Sequence, residues 1–92
     1  MSIEITKSAE ETYRRVLYSL NVKYKDQEYI IVLDDDDNGG SLEVYDSERK
    51  ILSDSDVRNA LLDCFGENSN PSDLIQGTEF VYNEEDEYWE EV

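Results

Sequence analysis

Residues 28–46 read EYIIVLDDDDNGGSLEVYD and carry the clearest structural signal in the chain. Two apolar runs rich in β-forming residues flank four consecutive aspartates and an Asn-Gly-Gly segment. An Asn-Gly pair between such runs is the strongest short-range signal for a β-hairpin. Apolar residues fall on both faces of the first run, at 28–34, which favours a central strand. The second run, at 41–46, is apolar mainly on one face. We therefore predict an antiparallel hairpin with an acidic tip.

The segment before the hairpin predicts one helix and one strand. Ser8 is placed as an N-cap, and Glu11 three residues later completes a capping box. Helical spacing then predicts a helix over residues 9–20, whose apolar face comprises Ala9, Tyr13, Val16, Leu17 and Leu20. Beyond this helix the apolar period changes to two. That change predicts a strand over residues 22–25 and a tight turn at residues 26–27.

The segment after the hairpin predicts a second helix and a fourth strand. Ser53 or Ser55 is placed to cap this helix, and Gly66 is placed as the residue that follows its end. Its apolar stripe repeats at helical spacing and comprises Val57, Ala60, Leu61, Cys64 and Phe65. Residues 78–82 predict a strand. The final ten residues, NEEDEYWEEV, fit a second hairpin strand, a short helix or an acidic tail, and the sequence leaves all three open.

These elements predict one α+β domain over residues 1–92, in the order α-β-β-β-α-β. A small two-layer sandwich fits this order, with an antiparallel sheet of three to five strands covered by two helices. Residues 1–6 alternate Ile3 and Ile5 with polar side chains, and they form a weak strand, an extended arm or a frayed end. Residues 84–92 form either a last strand or a tail.

Charge composition limits the function most strongly. The chain has 92 residues, with 24 acidic and 8 basic side chains, no histidine and a formal net charge of −16. Nucleic-acid binders need the opposite sign, because Lys and Arg neutralise the phosphates. No basic residue follows Arg58. We therefore predict a partner with a basic protein surface, and no direct binding of nucleic acid.

Cysteine content and hydropathy indicate the compartment. Cys64 is the only cysteine, so the chain cannot form an internal disulfide. The first residues lack the apolar run of a signal peptide, and the longest apolar run, residues 29–33, is too short to span a bilayer. These features predict a cytoplasmic protein with no membrane partner.

The aspartate run contains the first half of an EF-hand calcium loop. The pattern D-x-D-x-N-G is matched by Asp34, Asp36, Asn38 and Gly39. The twelfth position is Tyr45, where the motif requires a bidentate Glu, and the flanking residues read as strands. A loose divalent-cation site is an alternative, because a cation relieves the repulsion among clustered carboxylates. We adopt the simpler interpretation, a solvated acidic tip without a metal site.

Catalytic chemistry has little support in the sequence. Without histidine the usual nucleophile–base pairs are absent, and Cys64 falls on the apolar stripe of the second helix, as a core residue does. Carboxylate pairs such as Asp54 and Asp56 could hold Mg²⁺ or act as acid and base. A nuclease or phosphatase would also need basic groups to bind its substrate. We predict a non-enzymatic protein with no cofactor.

The clustered carboxylates form the candidate binding surface. Residues 1–25 hold five basic and three acidic residues, so all of the excess negative charge lies beyond them. Folded strands and helices can present such side chains in rows spaced ~5 to 7 Å, which a groove built for phosphates would accept. Trp89 has two interpretations, as an interface anchor rimmed by charge or as part of the core. The candidate partner-binding residues are Asp34, Asp35, Asp36, Asp37, Asp54, Asp56, Glu84, Glu85, Asp86, Glu87, Tyr88, Trp89, Glu90 and Glu91.

In length, acidity and predicted element order over residues 8–65, the chain resembles small phage-encoded DNA-mimic inhibitors of the anti-restriction and anti-CRISPR classes. The resemblance implies an inhibitor that occupies the nucleic-acid groove of a nuclease or another nucleic-acid-binding protein, with carboxylates in place of phosphates. It also implies the cytoplasm of a bacterial host. The alternative function is an acidic adaptor or a toxin-immunity-like protein, whose partner surface would centre on the aromatic residues.

Overall fold

The computed structural model describes residues 2–12, 17–34, 42–68 and 71–92. These residues form six strands, one α-helix and one short 3-10 helix, which are β1 (Ser2–Thr12), β2 (Leu17–Tyr24), β3 (Gln27–Asp34), β4 (Leu42–Asp46), α1 (Ser55–Glu67), the 3-10 helix (Pro71–Asp73), β5 (Glu79–Asn83) and β6 (Tyr88–Glu91). The six strands make one antiparallel sheet in the order β4-β3-β2-β1-β5-β6. The helix packs on one face of this sheet, against β4 and β6.

The predicted α+β sandwich with two helices is wrong, because the described part of the chain contains a single α-helix in a mostly β fold. The segment expected to form a helix over residues 9–20 instead contains the end of β1 and the start of β2, which pair with each other. Ser8 caps no helix, and its Oγ accepts a hydrogen bond from the backbone N–H of Gln76 at 2.7 Å. Residues 13–16, in the middle of the expected helix, lie outside the described residues.

β-Bulges interrupt the strand pattern of this segment. The register between β1 and β2 shifts after Ile5 and again after Lys7. Each extra residue interrupts the period-two alternation of a strand. Ile5 and Ala9, four residues apart, both pack against the core, and a strand places residues at this spacing on one face just as a helix does. The backbone also confirms the strand, because Ala9 N–H donates to the carbonyl of Leu74 at 2.9 Å.

The hairpin predicted from residues 28–46 is confirmed. β3 pairs with β4 from Leu33 opposite Leu42 to Tyr29 opposite Asp46, and β2 lies on its other side, so β3 is an inner strand. The acidic tip itself, residues 35–41, lies outside the described residues.

The turn before this hairpin falls one residue earlier than predicted. Lys25 and Asp26 form a two-residue turn with φ values of 53° and 62°, and Tyr24 pairs with Gln27. Two successive positive φ angles are typical of the type I′ turn, which connects the strands of a tight β-hairpin. The sequence signal was obscured because neither residue is the Asn or Gly that favours this conformation.

The helix prediction is confirmed in its apolar stripe and corrected at both ends. Its N-cap is Asp54, not Ser53 or Ser55, and Asp54 Oδ1 accepts from the backbone N–H groups of residues 56 and 57 at 3.0 and 3.3 Å. The helix continues through Gly66 and ends at a C-cap, Asn68. The Asn68 backbone N–H and Nδ2 both donate to the carbonyl of residue 64, which replaces the expected glycine cap.

The final residues form a hairpin strand, one of the three alternatives that the sequence left open. β5 confirms the predicted strand at 78–82 within one residue, and β6 pairs with it from Asn83 opposite Tyr88 to Phe80 opposite Glu91. The side chain of Asn83 organises the four-residue turn between them, because its Oδ1 accepts from the backbone N–H groups of residues 85 and 86 at 3.0 and 3.2 Å.

The core lies between α1 and the sheet. The buried hydrophobic residues of this layer are Ile3, Ile5, Leu20, Val22, Tyr24, Tyr29, Ile31, Leu33, Val44, Val57, Leu61, Cys64, Phe65, Leu74, Phe80 and Trp89. Phe65 of the helix meets Phe80 of β5 edge to face, with ring centroids 5.8 Å apart. Burial of this apolar surface is the main favourable term that holds the helix to the sheet.

Candidate functional site

Negative charge in the described part of the chain is exposed and largely unneutralised. Among the described acidic side chains, Asp46 and Glu79 are half-buried and all the others are exposed. Two ion pairs occur among the described residues, Lys7 with Glu10 at 3.7 Å and Lys50 with Glu48 at 3.3 Å. Each pair neutralises one carboxylate, and exposed pairs contribute only about 0 to 1 kcal/mol to stability, so most of the described carboxylates have no cationic partner.

The acidic turn between β5 and β6 displays four carboxylates at one end of the sheet, those of Glu84, Glu85, Asp86 and Glu87. All four are exposed, and the turn backbone that carries them is held by the side chain of Asn83. Their placement therefore depends on main-chain hydrogen bonds and not on the carboxylates themselves.

The remaining acids of β6 do not continue as one row. Side chains alternate between the two faces of a strand, so Glu90 and Glu91 point in opposite directions. Glu90 lies opposite Val81, on the face away from α1, whereas Glu91 lies opposite the core residue Phe80. The predicted run of residues 84–91 is therefore divided into a turn and two separate faces.

The two aromatic residues predicted for partner binding have different environments. Tyr88 is 36% exposed, and its hydroxyl donates to Glu90 Oε2 at 2.9 Å, a bond that raises the pKa of Tyr88. Trp89 is only 5% exposed and packs between Tyr24 and Tyr82. The structure thus places Trp89 in the core, one of the two interpretations that the sequence allowed.

The acids at the start of α1 lie beside two tyrosines. Burial raises the pKa of Tyr24, and the negative charges of Asp54 and Asp56 raise it further. Burial and then Asp54 likewise raise the pKa of Tyr29. Asp54 is exposed, but its Oδ1 caps the helix. Asp56 is also exposed and does not cap the helix, so its carboxylate can contact a partner.

On the face of the sheet away from α1, charged side chains form a row across four strands. The pairing places Glu28, Lys23, Glu4 and Glu79 side by side on β3, β2, β1 and β5. Directly opposed side chains on neighbouring strands lie about 5 Å apart between their Cβ atoms. Glu4 and Glu79 therefore form a like-charge pair, which costs stability. The sequence could not reveal this pair, because β1 and β5 are distant in the chain.

A groove between α1 and the sheet is a feature that the sequence reasoning missed. It has a volume of about 310 Å³, and its lining residues are Tyr24, Lys25, Asp56, Ala60, Asp63, Tyr82 and Trp89. Asp56, Ala60 and Asp63 recur at helical spacing on one side of α1, a pattern visible in the sequence. The aromatic side of the groove was not visible, because it depends on a long-range contact between Tyr24 of β2 and Trp89 of β6 across the two strands that separate them.

The aspartate tip and the metal hypothesis are not tested by the described residues. Asp34 ends β3, but its side chain and residues 35–41 lie outside the described part, so Asp35, Asp36 and Asp37 remain predictions. Tyr45, at the twelfth position of the partial EF-hand pattern, belongs to β4 and is paired with Ile30. Within the described residues, no group of three or more His, Cys, Asp or Glu residues could hold a metal ion.

Cys64 is fully buried in the helix stripe, and burial raises the pKa of its thiol to about 12. A thiol with this pKa is not a nucleophile at neutral pH.

The one α-helix in the described part of the chain has neither the length nor the apolar composition needed to cross a lipid bilayer. Comparisons with protein-family models, with curated protein sequences and with solved structures find no match for this chain.

Proposed function

We propose that this chain is a non-enzymatic inhibitor or decoy that binds a basic site of a nucleic-acid-binding protein in place of the nucleic acid. The observation that carries the proposal is the exposed carboxylate surface. Among the described residues, two of its carboxylates, those of Glu10 and Glu48, form ion pairs, and the others are left to attract a basic partner. A basic groove that accepts phosphates also attracts carboxylates held at fixed positions on a folded surface. The proposed site of action is the cytoplasm of a bacterial host, as the resemblance to phage-encoded inhibitors implies.

The fixed position of the charges supports this proposal. The turn backbone that carries the carboxylates of residues 84–87 is fixed by hydrogen bonds to the Asn83 side chain, and strand pairing places Glu4 and Glu79 directly opposite each other. Like charges directly opposed across strands cost about 0.2–1 kcal/mol. A protein that needed negative charge only for solubility would gain by separating them.

The size of the molecule also suits a nucleic-acid groove. Its principal dimensions are 39 × 26 × 23 Å. One turn of duplex DNA is about 34–36 Å long, so the long axis of the protein matches about one helical turn. A groove that clamps one turn of duplex is therefore about as long as the long axis of the described structure.

A pull-down from bacterial lysate tests the proposal. The chain is used as bait with and without competing duplex DNA, at about 0.1 M and about 1 M salt, between which the Debye length falls from ~10 to ~3 Å. We expect the captured proteins to be nucleic-acid-binding proteins, and we expect both DNA and high salt to release them. Partners that stay bound under both conditions would contradict the proposal.

Matched variants then locate the binding surface. Neutralising the turn with Glu84→Gln, Glu85→Gln, Asp86→Asn and Glu87→Gln leaves its main-chain bonds to Asn83 intact. We expect this variant to lose most of its affinity while its melting temperature is retained. A second variant with Asp35, Asp36 and Asp37 changed to Asn tests the predicted hairpin tip separately, and equal affinity of both variants and the parent would contradict the proposal.

One observation favours the adaptor or toxin-immunity-like alternative. Tyr82 and Tyr88 are 38% and 36% exposed at the β5–β6 end, and half-exposed tyrosines are common in interface hot spots. Under this alternative, Tyr82→Ala and Tyr88→Ala would abolish partner binding, and neutralising the turn would change it little. Binding would then also be insensitive to DNA.

A further inference from the structure

We propose that the groove between α1 and the β2 and β6 strands takes an arginine side chain of the basic partner, and so supplies the specific anchor of the acidic surface. This inference rests on the proposed function, because it names the group on the partner that the surface recognises. The groove has a volume of about 310 Å³, within the range of small ligand sites. It combines two acidic side chains with three aromatic ones in one concave site.

The helix provides the acidic rim. Asp56 and Asp63 are seven residues apart on α1, which corresponds to a rise of about 10 Å, and both side chains are exposed. Ala60 lies between them, and its short side chain leaves the space between the carboxylates open. No described acid on this rim forms an ion pair, so both carboxylates are available to a cation from outside.

Aromatic rings form the other side of the groove. Tyr82 and Trp89 lie with ring centroids 5.3 Å apart, and Tyr24 meets Trp89 edge to face at 6.2 Å. Tyr82 is the exposed ring of the three, and a guanidinium group suits this combination, because its plane can stack on that ring and its N–H groups donate in pairs to carboxylates. An ammonium group lacks the planar geometry, so the groove should prefer arginine to lysine.

The chain's own Lys25 already lies in a cation–π position on this aromatic surface. Lys25 Nζ lies 5.4 Å from the centroid of the Tyr24 ring, at cation–π distance, and Lys25 also lines the groove. An incoming arginine therefore meets an internal competitor for the same aromatic surface. Removing the Lys25 charge should strengthen arginine binding, beyond the general effect of making the protein more negative.

Two synthetic peptides of equal length, oligo-arginine and oligo-lysine, provide the test. The chain has one tryptophan, Trp89 at the groove, so its fluorescence reports occupation directly. We expect the arginine peptide to bind at least about fivefold more tightly than the lysine peptide and to change the Trp89 emission. Equal affinities with unchanged emission would overturn the inference, while charge-driven binding and the proposed function would stand.

Charge-matched variants assign the preference to the groove. Asp56→Asn with Asp63→Asn should bring the arginine-to-lysine preference close to one, whereas Glu43→Gln with Asp73→Asn should weaken both peptides equally and keep the preference. Ala60→Gln fills the groove without removing a charge, and it should also remove the preference. Retention of the preference in both groove variants, with folding verified by circular dichroism, would overturn the inference.

Lys25 gives an independent test, in which the substitution should strengthen peptide binding. Lys25→Gln should strengthen binding of the arginine peptide by about two- to fivefold, the amount expected for one exposed cation–π contact. Lys23→Gln removes the same charge two residues earlier in the chain, outside the groove, and should strengthen binding of the arginine peptide less. Equal effects of the two variants would overturn the role of Lys25. If neither peptide bound the parent protein at low salt, the proposed function would fail together with this inference.

Discussion

Trp89 of β6 meets Tyr24 of β2 edge to face, with ring centroids 6.2 Å apart and ring planes at 80°. In the sheet, β1 and β5 lie between these two strands, so the contact crosses two intervening strands. Both side chains are almost fully buried. The contact joins the last strand to the middle of the sheet and closes one end of the core.

Trp89→Ala should therefore destabilise the fold. Removing a buried tryptophan side chain typically lowers the free energy of unfolding by about 3–5 kcal/mol. That loss is a large share of the total stability of a small domain. Urea denaturation followed by circular dichroism measures it, with Tyr88→Ala as the control on the neighbouring, exposed residue. If Trp89→Ala unfolded at the parent urea concentration yet lost partner binding, Trp89 would be an interface anchor after all.

The turn at residues 25–26 offers a stabilising substitution. Asp26 has φ 62°, a conformation that favours glycine. We expect Asp26→Gly to raise the free energy of unfolding by roughly 0.5–1 kcal/mol. Glycine has no Cβ to disfavour a positive φ, and this gain exceeds the entropy that glycine adds to the unfolded chain. Asp26→Ala deletes the same charge but keeps a Cβ, so it should be less stable than Asp26→Gly by about 1 kcal/mol or more. Equal stabilities of the Gly and Ala variants would mean that charge, not backbone conformation, decides the effect.

Local patterns in the sequence predicted the central hairpin, the helix stripe and the strand at 78–82. They failed for β1, because its bulges interrupt the strand alternation, and because the four-residue spacing of Ile5 and Ala9 fits a strand as well as a helix. They could not show the β1–β5 pairing either, since the two strands are joined only by long-range contacts. The groove was hidden for the same reason, although its acids on α1 were visible. The acidic composition was visible from the start, but the division of the last run between a turn and two faces was not.

The N-cap of α1 gives a clean local prediction. Asp54 Oδ1 accepts two backbone N–H groups, so Asp54→Ala should lower the free energy of unfolding by about 1 kcal/mol. Ser53→Ala and Ser55→Ala should each change it by less than about 0.5 kcal/mol, because neither side chain caps the helix. Thermal or urea denaturation of the three variants distinguishes them. A larger effect for either serine would mean that the cap has been assigned to the wrong residue.

Cys64 should make the fold sensitive to high pH. Its thiol pKa is raised from 9.0 to about 12 by burial, so the folded state holds the proton more tightly than the unfolded state does. The associated stability is complete below pH 9 and is lost as the pH rises through 12, by up to about 4 kcal/mol. Cys64→Ala removes this contribution, although Tyr24 and Tyr29 titrate in an overlapping range.

Unfolding free energies of the parent and Cys64→Ala, measured from pH 8 to 11, check this expectation. The parent curve should fall more steeply, and the two curves should converge as the pH rises. Alkylation provides a second readout, since a buried thiol should react with iodoacetamide only after denaturant is added. Parallel pH curves, or rapid alkylation of the folded protein, would contradict the assigned burial.

Glu79 connects stability with the proposed function. It faces Glu4 across β1 and β5, so Glu79→Lys should replace a repulsive pair with an attractive one and raise the free energy of unfolding by about 0.2–1 kcal/mol. The gain should shrink in high salt, which screens exposed charges. Glu43→Lys makes the same charge change opposite Val32, where no like charge is relieved, and it should gain less. Both variants should bind a basic partner more weakly than the parent. Greater stability with undiminished binding would show that this row of charges lies outside the partner surface.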